Sequence, residues 1–120
     1  MYTVHFYIDE RGGVPVRRFI RDFNKKSRAK IGRYIDLLER HGPDLPRPYA
    51  DHVRDKIREL RVRTSDGNIR IFYFFFIEKN IILLHAFKKK TQDLPEREIE
   101  QAERNMHYFL DQYKLGRISF

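Results

Sequence analysis

KIRELRVR (Lys56–Arg63), the cluster Ser65-Asp66-Gly67-Asn68, IRIFYFFFI (Ile69–Ile77), the triplet Glu78-Lys79-Asn80 and IILLHAF (Ile81–Phe87) follow one another without interruption. Three runs rich in β-branched and aromatic residues, separated by short turn clusters, read as three consecutive strands. In the first, Leu60 and Val62 fall on one face and Arg61 and Arg63 on the other, the alternation of a strand with one face to a core. The last run is apolar at successive positions, so both of its faces need cover and it belongs inside a sheet. The short turns make the three an antiparallel meander.

Outward from this meander, Tyr2–Ile8 alternates and reads as a further strand, ended by turn chemistry at Asp9–Gly13. Pro15 suits a first helical turn, and Val16, Phe19, Ile20 and Phe23 repeat at helical spacing. The stripe resumes at Ile31, Tyr34, Ile35 and Leu38, with Asn24 and Ser27 between the two halves as candidate caps. This reads as a helical hairpin, with one bent helix as the alternative. Gly42 and Pro43 stop it, because Gly tolerates the left-handed conformation that closes a helix and Pro cannot continue one. Proline-bearing Asp44–Asp51 reads as a surface loop. Downstream, Asp93 as a cap, Pro95 and Glu96 open a helix whose Ile99, Ala102, Met106, Phe109, Leu110 and Tyr113 share a face for the sheet. The fold expected is α+β, in the order β-α-α-β-β-β-α, with a small, mostly antiparallel twisted sheet. One domain spans residues 1–114, and residues 115–120 form a loosely held tail.

The 120 residues carry 25 Lys and Arg against 17 Asp and Glu, a formal charge of +8. Such a surplus attracts polyphosphate. The charge is unevenly spread: Arg17 to Arg40 holds nine basic and three acidic residues, Pro95 to Lys114 three and five. The absence of cysteine excludes disulfides and thiolate metal sites and points to a reducing compartment, the cytoplasm. His5, His41, His52, His85 and His107 lack the close pairing of zinc ligands, so neither metal nor cofactor is expected. The apolar runs are too short to span a membrane.

No phosphate loop, nucleophile elbow or metalloprotease motif is present. The chemistry on offer is cationic: Lys56, Arg58, Arg61 and Arg63 on the first meander strand, Arg70 between isoleucines on the second, and Lys88, Lys89 and Lys90 after the third. Guanidinium and ammonium groups brought to one end of the sheet suit attack of a ribose 2′-OH on its neighbouring phosphate, whose transition state gathers negative charge on phosphoryl oxygens. A lysine among other cations can also act as a base. Each group has a plainer reading. Arg58, Arg61 and Arg63 also suit the solvated face of an edge strand. Glu59 is a ready structural mate for Arg70, and the lysines suit a solvated charge run. His85 reads as a satisfied core histidine, and the Phe72–Phe76 block as core in which Tyr73 could stack a base.

The stretches IRELRVRTSDGNIRIFY (Ile57–Tyr73), LLHAF (Leu83–Phe87) and KKKTQDLPEREIEQAERN (Lys88–Asn105) resemble the phage-derived HigB-like branch of the RelE/ParE toxin superfamily. The ELR-turn-RIFYF hairpin and the F-x-K-K-T-x-x-x-P-x-x-E-I-x-x-A segment carry the resemblance as a pair. It implies a toxin of a type II toxin–antitoxin system whose concave basic sheet binds mRNA, commonly on the ribosome, and cuts it without metal. It further implies a HigA-like helix-turn-helix antitoxin as partner. On this resemblance Arg70, Lys89 and Arg61 are the catalytic candidates, with Arg70 at the scissile phosphate. Lys56, Arg58, Arg63, Lys88 and Lys90 would hold the RNA. Tyr113, on the apolar helix face, does not match the C-terminal tyrosine of RelE. Relatives with this fold that poison DNA gyrase without cutting RNA supply the alternative, as does a decayed prophage protein that only binds nucleic acid. All of this requires convergence: Arg70 locked in an internal ion pair, with the lysines pointing elsewhere, would remove the site.

Overall fold

The computed structural model describes residues 1–120. Strand β1 (Thr3–Phe6) leads through α1 (Pro15–Arg21) and α2 (Lys25–His41) to β2 (Ala50–Arg54), β3 (Ile57–Thr64), β4 (Gly67–Phe76) and β5 (Asn80–Lys88), and α3 (Glu96–Lys114) closes the chain. The strands form one five-stranded sheet in the order β1-β5-β4-β3-β2. Only the β1–β5 pair is parallel. The α+β class, the helical hairpin and the meander stand as expected from the sequence.

One strand was not expected. Strand β2 begins at Ala50, inside the stretch read as a loop, and pairs with β3 from Ala50↔Leu60 to Arg54↔Ile57. It is a short, largely polar edge strand. Edges of this kind are kept polar so that they do not recruit other chains, which is why they lack the alternation that betrays a core strand.

The helices cover opposite faces. Under α1 and α2 lie Leu60, Val62, Ile69, Ile71, Tyr73, Ile81, Leu83 and Ala86. Under α3 lie Ile57, Phe72, Phe74, Ile82, Leu84 and Phe87, meeting Ile99, Ala102, Met106 and Phe109 of the helix. The sheet is therefore the middle of three layers with a core on each side. No helix is long and apolar enough to cross a membrane.

Local signals set the boundaries. Asn24 caps α2, its Oδ1 accepting from the Ser27 backbone N–H at 2.9 Å. Gly42 ends α2 at φ +53°, where a Cβ would stand 2.3 Å from the Tyr2 ring, so no larger residue fits. Helix α3 starts later than expected. Pro95 is its N-cap, in extended conformation and without a side-chain cap bond, while Asp93 accepts from Thr91 Oγ1 through its main-chain oxygen. Glu96 and Glu98 in the first turn face the positive end of the helix dipole instead. Beyond α3 the tail folds back, and the Phe120 ring lies 4.3 Å from that of His5.

Strand β5 is irregular at one point. Phe72 pairs with His85 but Tyr73 pairs with Leu83, so Leu84 is the extra residue of a bulge. Leu84 and His85 both face α3 as a result.

Candidate nucleic-acid interface

Register defines the α3 side of the sheet row by row. Arg61, Arg70 and Phe87 stand side by side on β3, β4 and β5, and Glu59, Phe72 and His85 form the next row. At the other end Arg63 stands opposite Asn68, whose carbonyl accepts from the Lys89 backbone N–H at 2.8 Å. Neighbouring strands lie about 4.8 Å apart and alternate residues about 6.7 Å along a strand, so these side chains share a patch one nucleotide can cover.

Glu59 organises the arginines. Its side chain is 3% exposed, and its Oε1 lies 2.9 Å from Arg70 Nε. Its Oε2 lies 3.1 Å from both Nε and a terminal nitrogen of Arg61. A carboxylate this deeply buried requires compensation, and the two guanidinium groups supply it. The Arg70 pair is an ion contact without hydrogen-bond alignment. The terminal nitrogens of Arg70, whose side chain is 15% exposed, make no hydrogen bond within the chain. Glu59 thus holds Arg70 by Nε, and the fork that suits a phosphate stays open. Burial holds the Arg70 guanidinium below its ordinary value; Glu59 opposes the shift, and Arg61 and Arg63 add to it. Arginine remains charged through such a shift, and the same repulsion favours an anion beside it.

Arg61 is more fully engaged, since Asp51 Oδ2 takes its Nη2 at 3.1 Å. That carboxyl also meets Arg47 Nε at 3.0 Å. Burial works to raise Asp51, but the His52 backbone N–H and Arg47 prevail and hold it below the usual carboxylate range. Arg63 is exposed and has no acidic partner. Arg61, Arg63 and Arg70 line a cleft of about 370 Å³ with Asn68, Tyr34, Pro48 and Tyr49. The Tyr34 and Tyr49 rings lie 5.5 Å apart at its wall. Aromatic faces beside guanidinium groups can hold a base and its phosphate together.

The other cations expected at the site are distributed elsewhere. Arg58 lies on the α1 and α2 side, opposite Tyr73. Tyr73 is fully buried, and burial pushes its hydroxyl up against the pull of Arg58, so it has no face to offer a base. Lys56 precedes β3 at the far end from Arg63, about 16 Å from Arg61 at strand spacing. Lys88 turns to the α1 side, with its ammonium 5.3 Å from the centre of the Phe23 ring. Lys88 and Lys90 instead line a second cleft of about 350 Å³ with Phe19, Arg97 and Glu98. By register Lys89 belongs to the Arg70 side, but its Nζ donates to the Thr91 and Gln92 carbonyls at 2.5 and 2.7 Å. Both conditions set against a converged arginine–lysine site are therefore met, with Arg70 ion-paired to Glu59 and the lysines elsewhere. That site is corrected to an arginine group alone, Arg61, Arg63 and Arg70, in which Glu59 engages Arg70 only through Nε. Glu59 as a mate for Arg70 was legible; its hold on Arg61 and the Tyr34–Tyr49 wall were not. His85, read as a core histidine, meets Glu98 Oε1 through Nε2 at 2.7 Å with both side chains about one-fifth exposed (18% and 19%).

Residues 18–107 match the profile of the family described as phage derived protein Gp49-like (DUF891). Over 73 residues the chain is 37% identical to the Mycobacterium tuberculosis protein named "Putative toxin HigB3", a stretch covering 58% of this chain and 62% of that protein.

Proposed function

The chain belongs to the phage-derived Gp49-like family, and from that premise we propose that it is the toxin of a toxin–antitoxin pair, a metal-independent endoribonuclease that cuts mRNA on the ribosome in the cytoplasm. The observation that carries this reading is the cleft beside β3, past the start of β2, where Arg61, Arg63 and Arg70 meet Tyr49 and Tyr34 of α2. Arg70 presents its fork to the scissile phosphate, Arg63 holds a flanking phosphate, and Arg61 braces the group through Glu59 and Asp51. Guanidinium groups held in place before the substrate arrives stabilise the charge of a phosphorane at little reorganisation cost. Lys89, on the Arg70 side by register, takes a phosphate only by leaving the Thr91 and Gln92 carbonyls. The partner is an antitoxin with a helix-turn-helix domain that masks the cleft or keeps it from the ribosome.

Pulse expression of the wild type beside an Arg63→Ala/Arg70→Ala variant tests the reading. Cleaved mRNA and growth arrest are expected with the wild type only. Equal cleavage in both rejects this site. Intact mRNA with stabilised DNA breaks replaces the nuclease with a gyrase poison.

A further inference from the structure

We propose that His85, oriented by Glu98, is the general base of this site: its Nδ1 takes the proton of the attacking ribose 2′-OH beside the phosphate held by Arg70. This rests on the nuclease reading above and names the proton-transfer group which that reading lacks. Phe87 and Phe72 pair with Arg70 and His85 respectively, so His85 stands one row from Arg70 on the same side of the sheet. The diagonal Cα separation for such a pair is about 8 Å, which a phosphodiester spans between two side chains.

The ring is held from three directions. Phe87 stacks with it at 5.9 Å and 22°, Phe72 lies at 6.5 Å, and Glu98 takes Nε2 at 2.7 Å. A carboxylate on Nε2 selects the tautomer with its proton there, and Nδ1 is then left as a lone pair. Nδ1 makes no hydrogen bond within the chain. Nδ1 is not among the buried unpaired atoms and so is open to solvent and substrate, and an oriented imidazole with one accessible lone pair is what a general base requires. The charged groups around the ring are Glu98 from α3, with Arg97 3.9 Å from its other oxygen, Lys88 and Lys90 in the cleft that Glu98 and Phe87 share, Arg70 one row away on β4 and, beyond Phe72, Glu59 on β3.

In the step itself the O2′–P bond forms as the 2′-OH proton passes to Nδ1, and the P–O5′ bond breaks. The departing O5′ takes a proton from solvent, and the imidazolium later returns its own to solvent. The products are a 2′,3′-cyclic phosphate and a 5′-hydroxyl.

The test is single-turnover cleavage of a ribosome-bound mRNA by purified full-length protein, with RNA affinity and thermal unfolding measured alongside. His85→Asn is expected to cut at least about 100-fold more slowly while binding RNA within about twofold of the wild type. The wild-type rate is expected to rise tenfold per pH unit on its acid side, and that rise should vanish in His85→Asn. Glu98→Gln, which takes away the carboxylate that fixes the tautomer and orientation of the ring, is expected to cut more slowly than the wild type with RNA affinity unchanged. An unfolding midpoint close to wild type, with these changes present, assigns the loss to chemistry. His85→Asn cutting within about threefold of the wild type overturns the proposal and leaves the nuclease reading intact. So does a loss of activity that only tracks loss of folded protein, with the pH profile unchanged. If the wild type itself cuts no RNA, the nuclease reading falls and this inference with it.

Discussion

Two groups of cations stand at the same end of the sheet, and they are built on different terms. Arg61, Arg63 and Arg70 occupy positions of one parity on paired strands, so the pleat sends all three to the α3 side. Lys88, Lys89 and Lys90 are consecutive, and the alternation that gathers the arginines scatters them. Lys88 lies against Phe23, Lys89 bonds the following loop, and Lys90 lines another cleft. A dense run of charge in sequence is thus a diluted charge in space, whereas arginines spaced by two or paired across a hairpin concentrate. The arginines also share a buried counter-charge in Glu59, which the lysines lack.

The largest expected effect tests that counter-charge. Glu59→Ala leaves two guanidinium groups without their shared carboxylate and should lower the unfolding free energy by about 3 kcal/mol. Lys88→Ala, which loses one cation–π contact, should cost about 0.5 to 1 kcal/mol. Urea denaturation separates the two, and a wild-type midpoint for Glu59→Ala would mean the arginines do not depend on it. Next in size is RNA affinity. Arg63→Ala/Arg70→Ala should weaken binding of a short single-stranded RNA by about 30-fold. It should also make the slope of log affinity against log salt shallower by about 1.4, two phosphates' worth. Lys88→Ala/Lys90→Ala should stay within about threefold in a filter-binding assay; parity between the two double variants would erase the distinction drawn above.

Acid stability offers a smaller contrast. The folded Asp51 carboxyl titrates below its ordinary value of 3.8, so its stabilising contribution is complete above that pH and is lost as pH falls through the lower folded value. Asp51→Asn should therefore lose stability less steeply than the wild type below about pH 4, followed by circular dichroism. Lysine variants should run parallel to the wild type. The smallest effect expected is that of Lys89→Ala on RNA affinity, under about threefold. A loss equal to that of the arginine pair would show that the ammonium leaves its carbonyls for the cleft.

Much of this was legible in the sequence because core strands and helices announce themselves through periodicity. The meander, the helical hairpin, the Asn24 cap and the Gly42 stop each rest on local chemistry. Strand β2 was hidden because a polar edge strand owes its existence to its neighbour and not to its own pattern. The arginine group was legible as residues and only partly as geometry. Alternation placed Arg61 and Arg63 together, but Arg58 was included although the same alternation sends it to the opposite side. The partners of the group lie far away in sequence, as Tyr34 and Tyr49 do from Arg70. His85 and Glu98 are 13 residues apart, in two elements whose docking no local pattern records.

The additional residue at Leu84 reaches further than its own neighbourhood. Were Leu84 to pair with Phe72 in a regular ladder instead of bulging, Ala86 would sit opposite Arg70 and His85 opposite Ile71, under the helical hairpin. The imidazole, the aromatic ring next to Arg70 and the side assigned to each lysine are all phased by one supernumerary position. Drawing Leu84 back into a regular ladder would invert half a strand, exchanging inside for outside along every residue that follows, whereas excising it would leave them all on their present faces.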